Sequence, residues 1–260
     1  MSDSVQLKFE NKVAYLTLNR PEVFNSFNRE MALNLQSKMD ECENNDEVRA
    51  IVISGEGKAF CAGQDLKEVT NPDLHPGFRK ILEEHYNPII VRIREIAKPV
   101  IAAVNGVAAG AGANIALACD IVVAHEKASF IQAFSKIGLI PDSGGTFMLP
   151  RLIGFQKASA LMMLGDKVGV EEAERMGMIY KYFSSEDYSE AVKALAEQLA
   201  AMPTKGLVLT KEALNLSMNN NLTNQLALES DLQIIASESH DYNEGVTAFV
   251  EKRKPNFIGK

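Results

Sequence analysis

Two stretches rich in small residues could together hold an oxyanion. They are FCAGQDL (Phe60–Leu66) and NGVAAGAGANIALACD (Asn105–Asp120), and each follows a predicted strand where a helix could begin. Glycine and alanine let a ligand approach the backbone, and the N–H groups at a helix start are unpaired and carry partial positive charge. If the stretches face each other, we expect the N–H groups of Ala62 and Ala111 to be the donors. Close helix packing is the alternative interpretation of the second stretch.

One carboxylate, Asp142, lies in the stretch GLIPDSGG between an apolar run and a glycine pair. Its apolar neighbours include Phe134, Leu139 and Ile140. Burial disfavours a charged carboxylate and raises its pKa, which suits an acid/base group. The alternative, which the stretch alone favours, is an ordinary turn aspartate or a cap on the helix after Gly145.

Other nucleophile and ligand motifs are not evident in the sequence. Neither GxGxxG nor a P-loop occurs, which disfavours nucleotide binding through either motif, and no GxSxG motif is present for a serine hydrolase. The histidines are isolated, and we interpret Cys61 as a small packing residue. The cysteines have no CxxC pair, so neither a disulfide framework nor a metal site is predicted.

Composition places the chain among globular proteins with a substantial core. It has 260 residues, 46% of them hydrophobic, and a net charge of −7, which disfavours nucleic acid as a partner. We find no secretory signal and no run of about 18 apolar residues that would span a membrane, so a cytoplasmic location is expected. From charge alone, the basic cluster 252–254 is interpreted as a solvated helix end.

Strand-like runs alternate with helical stretches, which predicts an α/β fold with a covered sheet. Strands are predicted at residues 5–9, 13–18, 49–54, 99–104, 120–124 and 178–183, and helices at 28–44, 80–96, 205–218 and 222–238. Residues 67–80 are predicted to form a mobile loop. Asp241 and Glu244 resemble a capping box that opens a last helix. We therefore predict an α/β core at residues 1–200 and a helical C-terminal layer at 201–260.

Several motifs in a fixed order resemble the crotonase superfamily, the enoyl-CoA hydratase/isomerase group. They are FCAGQDL, PVIAAVNGVAAGAG, CDIVVA, GLIPDSGGT followed by LPRLIG, and EGVTAFVEKRKPNF. The resemblance implies a spiral of ββα turns with a C-terminal helical layer, assembled as a homotrimer or a dimer of trimers. It also implies an acyl-CoA thioester substrate whose oxygen lies between the N–H groups of Ala62 and Ala111. No cofactor is implied beyond the coenzyme A that the substrate carries.

The resemblance also implies residues that contact the substrate or CoA. Phe249 would pack on the adenine region and Lys252 would reach the phosphates, from the same or a neighbouring subunit, which reverses the charge-based interpretation of this cluster. The further contacts expected are Asn25, Ala62, Gly63, Gln64, Asp65, Leu66, Gly110 and Phe134. Met162, Met163 and the loop 67–80 are candidates for the acyl pocket.

Departures from the family pattern bear on the reaction. Hydratases of this group use two glutamates, and the matching positions here are Asn114 and Phe134, whereas Asp142 stands where hydratases usually have glycine. A single carboxylate suffices for a 1,3-proton shift, so the resemblance implies an isomerase with Asp142 as its catalytic acid/base. GVAAGAG and FSKIGLIPDSGGT resemble the branch that isomerises a ring 1,2-epoxide of phenylacetyl-CoA to an oxepin and shifts double bonds of unsaturated acyl-CoAs.

Three alternatives stay open at this point. The first is an enoyl-CoA hydratase in which Asp142 alone, or Asn114, positions the water. The second is a non-catalytic acyl-CoA-binding member of the superfamily. The third is a dehalogenase that uses an aspartate at this turn as its nucleophile.

Overall fold

Two sheets form the centre of the molecule in the computed structural model, which describes residues 3–260. The larger sheet is built, in spatial order, from β1 (Val5–Glu10), β2 (Val13–Leu18), β3 (Ala50–Gly55), β5 (Val100–Val104), β7 (Ile121–His125) and β10 (Lys181–Phe183). The smaller sheet is built from β4 (Ala59–Cys61), β6 (Val107–Ala109), β8 (Ser129–Ile131) and β9 (Lys167–Gly169). The pairs β1–β2 and β8–β9 are antiparallel, and the other pairs are parallel.

Helices surround the sheets and complete the fold. They are α1 (Arg29–Asn44), α2 (Leu66–Thr70), α3 (Phe78–Lys80), α4 (Asn87–Glu95), α5 (Ala111–Ala118), α6 (Gly145–Ile153), α7 (Phe155–Leu164), α8 (Val170–Arg175), α9 (Tyr188–Ala201), α10 (Thr204–Ser217), α11 (Leu222–Ser237) and α12 (His240–Glu251). A π-helical segment, Ile81–Tyr86, joins α3 to α4, and short 3₁₀ helices cover Pro21–Val23 and Ala133–Ile137.

The chain advances as a spiral. In three successive turns, a strand of the larger sheet (β3, β5, β7) is followed at once by a strand of the smaller sheet (β4, β6, β8), and helical structure then returns the chain. Because corresponding strands pair in parallel, the chain leaves each sheet at the same edge in every turn. The predicted α/β spiral of ββα turns with C-terminal helices is therefore confirmed.

The buried core lies where the sheets and helices meet. Helix α1 buries Met31, Leu35, Met39 and Cys42 on the face predicted from their spacing. The Asn28 side chain caps this helix by accepting a 3.0 Å hydrogen bond from the N–H of Met31. On β2 and β3, Leu16 and Ile53 are fully buried. The apolar periodicity of the sequence therefore corresponds to the faces that pack inside.

Polar contacts attach the C-terminal helices to the core. The Arg49 guanidinium donates to Thr204 Oγ1 and to the Phe257 carbonyl, at 2.8 Å in each case. Lys211 on α10, whose side chain is buried, pairs with Asp120 at 2.8 Å. The division of the chain at residue 200 stays an interpretation of this organisation.

Three local predictions were wrong. The stretch 67–80 is partly helical, since α2 ends at Thr70 and α3 begins at Phe78, and β10 is shorter than predicted. The cap of α12 is Ser239, whose Oγ accepts a 3.0 Å hydrogen bond from the N–H of Tyr242. Asp241 instead accepts hydrogen bonds from the N–H groups of Ile258 and Gly259 (2.8 and 2.7 Å), so a tertiary contact with the C-terminal tail replaced the predicted local one.

Within residues 3–260, none of the helices combines the length and the apolar character needed to cross a membrane. Over the same residues, no cluster of three or more His, Cys, Asp or Glu side chains is arranged to hold a metal ion.

Candidate active site

A cavity of about 550 Å³ lies where the two small-residue stretches and the Asp142 turn meet. Residues 62–67 form one wall, Gly110 and Ala111 at the start of α5 form a second, and the 133–142 segment forms a third. Residues of the π-helical segment and Phe78 close it with apolar side chains. The structure therefore brings together three segments that are separated by tens of residues in the sequence.

The turn after β4 is shaped by Gly63, whose φ of +94° favours glycine. On one side of this turn, Phe27 donates to the Gly63 carbonyl at 2.7 Å and accepts from the Asp65 N–H at 2.8 Å. Cys61 is fully buried beneath the turn, and burial raises the pKa of its thiol to about 12. Cys61 is thus a packing residue, as interpreted from the sequence.

Ala62 is not an oxyanion donor, which corrects the sequence-based prediction. Its N–H donates a 3.0 Å hydrogen bond to the carbonyl of Phe24, so the hydrogen is already used. The partner lies in a loop far back in the sequence, and the local pattern FCAGQDL contains no sign of it. Ala62 does line the cavity.

The N–H of Gln64, unlike that of Ala62, points away from the 24–27 segment. Because Gly63 and Asp65 both bond to Phe27, the alternation of an extended backbone turns the Gln64 N–H to the opposite side. Across the cavity, Ala111 is the first residue of α5, where an N–H has no intrahelical acceptor. In the described part of the chain, neither N–H donates to another backbone group.

The two turns approach each other closely because glycines line their contact. A Cβ on Gly63 would stand 3.0 Å from the Ala109 carbonyl oxygen and 3.6 Å from the Ala111 nitrogen. A Cβ on Gly112 would stand 2.4 Å from the Cys61 carbonyl oxygen. The small residues therefore serve both interpretations made from the sequence: they pack α5 against the 61–65 turn, and this packing places two N–H groups on one cavity.

Asp142 lines the cavity from a strained turn. Ser143 and Gly144 follow it with φ of +51° and +72°, and such left-handed backbone is costly for a serine. The Asp142 carboxylate accepts a 2.8 Å hydrogen bond from Ser143 Oγ. Burial raises the pKa of the Asp142 carboxyl above its usual range, and the serine hydrogen bond offsets part of that rise. The residue that caps α6 is Gly144, so Asp142 is not a helix cap.

Asn114 and Phe134 occupy different places around this site. Phe134 is buried and lines the cavity beside Gly110, where an added Cβ would stand 3.8 Å from its ring. Asn114, on α5, is buried and lies outside the cavity lining. Its amide donates to the backbone carbonyl of Asp142 at 2.8 Å and accepts from Gln132 Nε2 at 2.8 Å.

Seven of the ten residues predicted to contact substrate or CoA line the cavity: Ala62, Gly63, Gln64, Asp65, Leu66, Gly110 and Phe134. Asp65 is held in place, since its carboxylate pairs with Arg20 at 2.9 Å and caps α2 through the N–H of Lys67 at 3.0 Å. This leaves Asp142 as the lining carboxylate that is free of an ion pair.

The other three predicted contacts lie outside the cavity. Asn25 is fully buried, and its amide donates to the carbonyls of Glu56 and Ala59 at 2.9 and 2.8 Å, so both hydrogens are used. That corrects its assignment as a binding residue. Phe249 on α12 is 85% exposed, and Lys252 is the exposed C-cap of that helix. In this chain, neither residue reaches the cavity.

Tyr86 is a cavity residue that no sequence pattern predicted. It is fully buried, its ring centroid lies 5.9 Å from that of Phe27, and its hydroxyl donates to Gln64 Oε1 at 2.9 Å. Burial raises the pKa of Tyr86 well above its ordinary value, so the hydroxyl stays a donor. The π-helical turn that aims this side chain inward has no signature in the sequence.

The apolar residues near Asp142 also divide between the cavity and solvent. Leu139 lines the cavity, whereas Ile140 is 81% exposed. Of the candidates for the acyl pocket, Lys67, Val69 and Phe78 do line the cavity, and Met163 is 75% exposed.

The chain is similar to known proteins over almost its whole length. The family profile described as "Enoyl-CoA hydratase/isomerase" matches residues 8–260. The chain is 46% identical to "1,2-epoxyphenylacetyl-CoA isomerase" of Escherichia coli (strain K12), over 100% of both chains. It is 42% identical to "Probable enoyl-CoA hydratase" of Rhodobacter capsulatus, over 99% of this chain and 98% of that one.

A solved structure shares the fold over the full length. The crystal structure of an enoyl-CoA hydratase from Bacillus anthracis superposes with a TM-score of 0.92 at 30% identity, covering 99% of this chain and 100% of that one. Fold, motif order and full-length similarity agree, and the chain therefore belongs to the enoyl-CoA hydratase/isomerase family, the crotonase family.

Proposed function

We propose that the protein is a CoA-thioester isomerase in which Asp142 is the single catalytic acid/base. Its reaction is the transposition of a carbon–carbon double bond or the isomerisation of a ring 1,2-epoxide of phenylacetyl-CoA to an oxepin. The observation that carries the proposal is the meeting of two free backbone N–H groups and one unpaired carboxylate on the same cavity.

The N–H groups of Gln64 and Ala111 hold the thioester oxygen. When a proton leaves the carbon next to the thioester carbonyl, negative charge moves onto that oxygen. Donors fixed in advance stabilise this charge in the transition state, and removal of one such donor typically costs about 10²–10³ in rate. Gln64 takes the place that the sequence analysis assigned to Ala62.

Asp142 moves the proton. As a carboxylate it abstracts a proton from one carbon of the acyl group, the electrons delocalise over the enolate and the adjacent double bond, and the same carboxyl then returns the proton to a carbon two positions away. Reactant and product have the same atoms, so the step needs no co-reactant. Burial raises the pKa of Asp142 and thereby makes it a stronger base than an exposed aspartate.

The surroundings of Asp142 support isomerisation over hydration. A hydratase must position and deprotonate a water, whereas Asp65, the second carboxylate of the wall, pairs with Arg20. The Asn114 amide bonds to Asp142 and Gln132 and lies outside the lining. Phe134 covers the site with an apolar ring. We therefore keep hydration, acyl-CoA binding without turnover, and dehalogenation as outcomes of the test.

The adenosine end of CoA lies beyond the cavity of one chain in this proposal. Phe249 and Lys252 are exposed, and we propose that they contact the adenine region and the phosphates from a neighbouring copy in a homotrimer or a dimer of trimers.

The test compares the wild type with Asp142→Asn on 3-enoyl-CoA, the ring epoxide of phenylacetyl-CoA and crotonyl-CoA in deuterated water. We expect the wild type to isomerise the first two, and the asparagine variant to lose at least about 10³ of its turnover while binding a saturated acyl-CoA as before. Asp73→Asn is the matched control, because Asp73 is exposed and lies outside the cavity lining.

Each contrary outcome is informative. Isomerisation at the wild-type rate by Asp142→Asn would reject the assignment of the acid/base. A 3-hydroxy product from crotonyl-CoA as the main activity would favour the hydratase, and tight binding without turnover on every substrate would favour a non-catalytic role.

A further inference from the structure

The amide of Asn114 forms a bridge between α5 and the turn that carries Asp142. Its Nδ2 donates to the Asp142 backbone carbonyl at 2.8 Å, and its Oδ1 accepts from Gln132 Nε2 at 2.8 Å. Asn114 is 1% exposed and Gln132 is 4% exposed, so neither bond competes with bulk water. Buried hydrogen bonds of this kind are costly to break without replacement.

The direction of each bond in this bridge is set by chemistry. The Asp142 carbonyl can only accept, so Asn114 must present its NH₂ group to it, and its oxygen then faces Gln132. Gln132 must therefore present its own NH₂ group, and its Oε1 has no partner among residues 3–260. A carboxylate at position 114 could not donate to the Asp142 carbonyl. The bridge thus requires an amide at this position.

The same helix carries the other half of the proposed site. The N–H of Asn114 bonds to the Gly110 carbonyl at 3.2 Å, directly beside Ala111. The turn on the far side of the bridge is held further by the Gly145 N–H, which donates to the Asp142 carbonyl at 2.9 Å. Asn114 therefore joins the start of α5 to the backbone of the residue that bears the carboxylate.

The turn that carries Asp142 has a strained backbone, which neighbouring contacts must stabilise. Ser143, with a φ of +51°, is a non-glycine residue in left-handed backbone, which persists only where neighbouring structure holds it. Two donors converge on the Asp142 carbonyl, and one of them comes from a separate element. Release of that donor would let the turn relax and the carboxylate rotate away from the cavity.

We infer that Asn114 is a positioning residue that sets the distance between the Asp142 carboxylate and the oxyanion donors. This inference rests on the proposed function. Asn114 does not touch the substrate, and it acts through the backbone of Asp142. Misplacement of a reacting group by about 1 Å can cost about 100-fold in rate.

The test is Asn114→Leu, which keeps the approximate volume and removes both hydrogen bonds, assayed on a 3-enoyl-CoA. We expect kcat to fall about 100-fold while KM stays within about twofold, since the group that is displaced acts in the chemical step. The acidic limb of kcat/KM should move to lower pH, because a carboxyl that has turned toward water loses the burial that raises its pKa.

Asn215→Leu is the matched control. The Asn215 amide also joins two helices, accepting from Arg94 Nε at 3.0 Å and donating to the Arg94 carbonyl at 2.9 Å, but it lies away from the cavity. The variant should leave kcat and the pH profile unchanged. Should Asn114→Leu fail to fold, Gln132→Met, which removes only the donor that orients Asn114, decides the question with an expected fall in kcat of about tenfold.

A double-mutant cycle separates this inference from the function on which it rests. Asp142→Asn alone tests the function, and a wild-type rate in that variant would reject it. If Asp142→Asn retains only a low residual rate, Asn114→Leu should lower that rate little further, because both substitutions act on one group. A folded Asn114→Leu, or Gln132→Met in its place, with the kcat and acidic limb of the wild type would overturn the positioning role, as would a fully additive loss in the double variant.

Discussion

Gly145 lies against the side chain of Asn114 so closely that an added Cβ would stand 2.3 Å from Asn114 Nδ2 and 2.7 Å from Asn114 Cγ. The glycine is the first residue of α6, and its N–H donates to the Asp142 carbonyl at 2.9 Å. The amide of Asn114 and the backbone of α6 therefore share one small space behind the turn that carries Asp142. A larger residue at position 145 would therefore displace the Asn114 side chain.

This contact predicts the effect of Gly145→Ala. The methyl group would displace the Asn114 amide from the Asp142 carbonyl, so we expect a loss of about 1–3 kcal/mol in the free energy of unfolding and a fall in kcat of at least about tenfold. Thermal unfolding and steady-state kinetics measure both effects. Gly169→Ala is the control, since a Cβ there meets nothing within 4 Å; equal behaviour of the two variants would contradict the prediction.

Gly112→Ala tests the spacing between the proposed oxyanion donors. Its Cβ would stand 2.4 Å from the carbonyl oxygen and 2.6 Å from Sγ of Cys61, so α5 must move away from the 61–65 turn. We expect kcat/KM to fall by about 100-fold, because the Ala111 and Gln64 N–H groups separate. Gly206→Ala is the control: it lies within α10 with its nearest neighbour at 4.0 Å and should gain about 0.5–1 kcal/mol of stability. Unchanged kinetics of Gly112→Ala would argue against this placement of the donors.

The raised pKa of Asp142 predicts that Asp142→Asn is more stable than the wild type at neutral pH. Since the folded-state pKa lies above the unfolded value of about 3.9, the folded protein holds this proton more strongly than the unfolded chain does. Stability therefore falls as pH rises through the window between the two values, and it stays lower above that window. Asp142→Asn lacks this penalty, so its Tm should exceed that of the wild type at pH 7 and converge with it below about pH 3.9. A Tm of Asp142→Asn below that of the wild type at pH 7 would contradict this prediction.

The exposed Lys252 at the end of α12 predicts a dependence on the nucleotide part of CoA. If it contacts the phosphates in an assembled oligomer, Lys252→Ala should raise KM for acyl-CoA about tenfold, as expected for one charge-assisted hydrogen bond. KM for the matching acyl-pantetheine, which lacks the nucleotide, should not change. Lys254→Ala, an exposed charge two residues on, is the control. A parallel rise in KM for both thioesters would place Lys252 elsewhere.

The sequence by itself determined the architecture and the family, and it singled out one carboxylate for the proposed acid/base role. Period-two and helical patterns located most strands and helices, because burial on one face leaves a regular trace in the order of residues. The order of motifs identified the family, and the amide at Asn114 with the ring at Phe134 singled out Asp142. These are properties of residue type and spacing, which a sequence displays directly.

Only the tertiary structure decided which hydrogen-bond donors and acceptors already have partners and which do not. The Ala62 N–H donates to the Phe24 carbonyl, so the donor we propose is the N–H of Gln64. The amide of Asn25 donates to two carbonyls, and Asn25 lies outside the cavity lining. Tyr86 enters the cavity, and Asp241 holds the C-terminal tail in place of a cap. These residues share one physical reason. The partner of each hydrogen bond is near in space but distant in the sequence, so only the folded structure determines which donors and acceptors are already bonded.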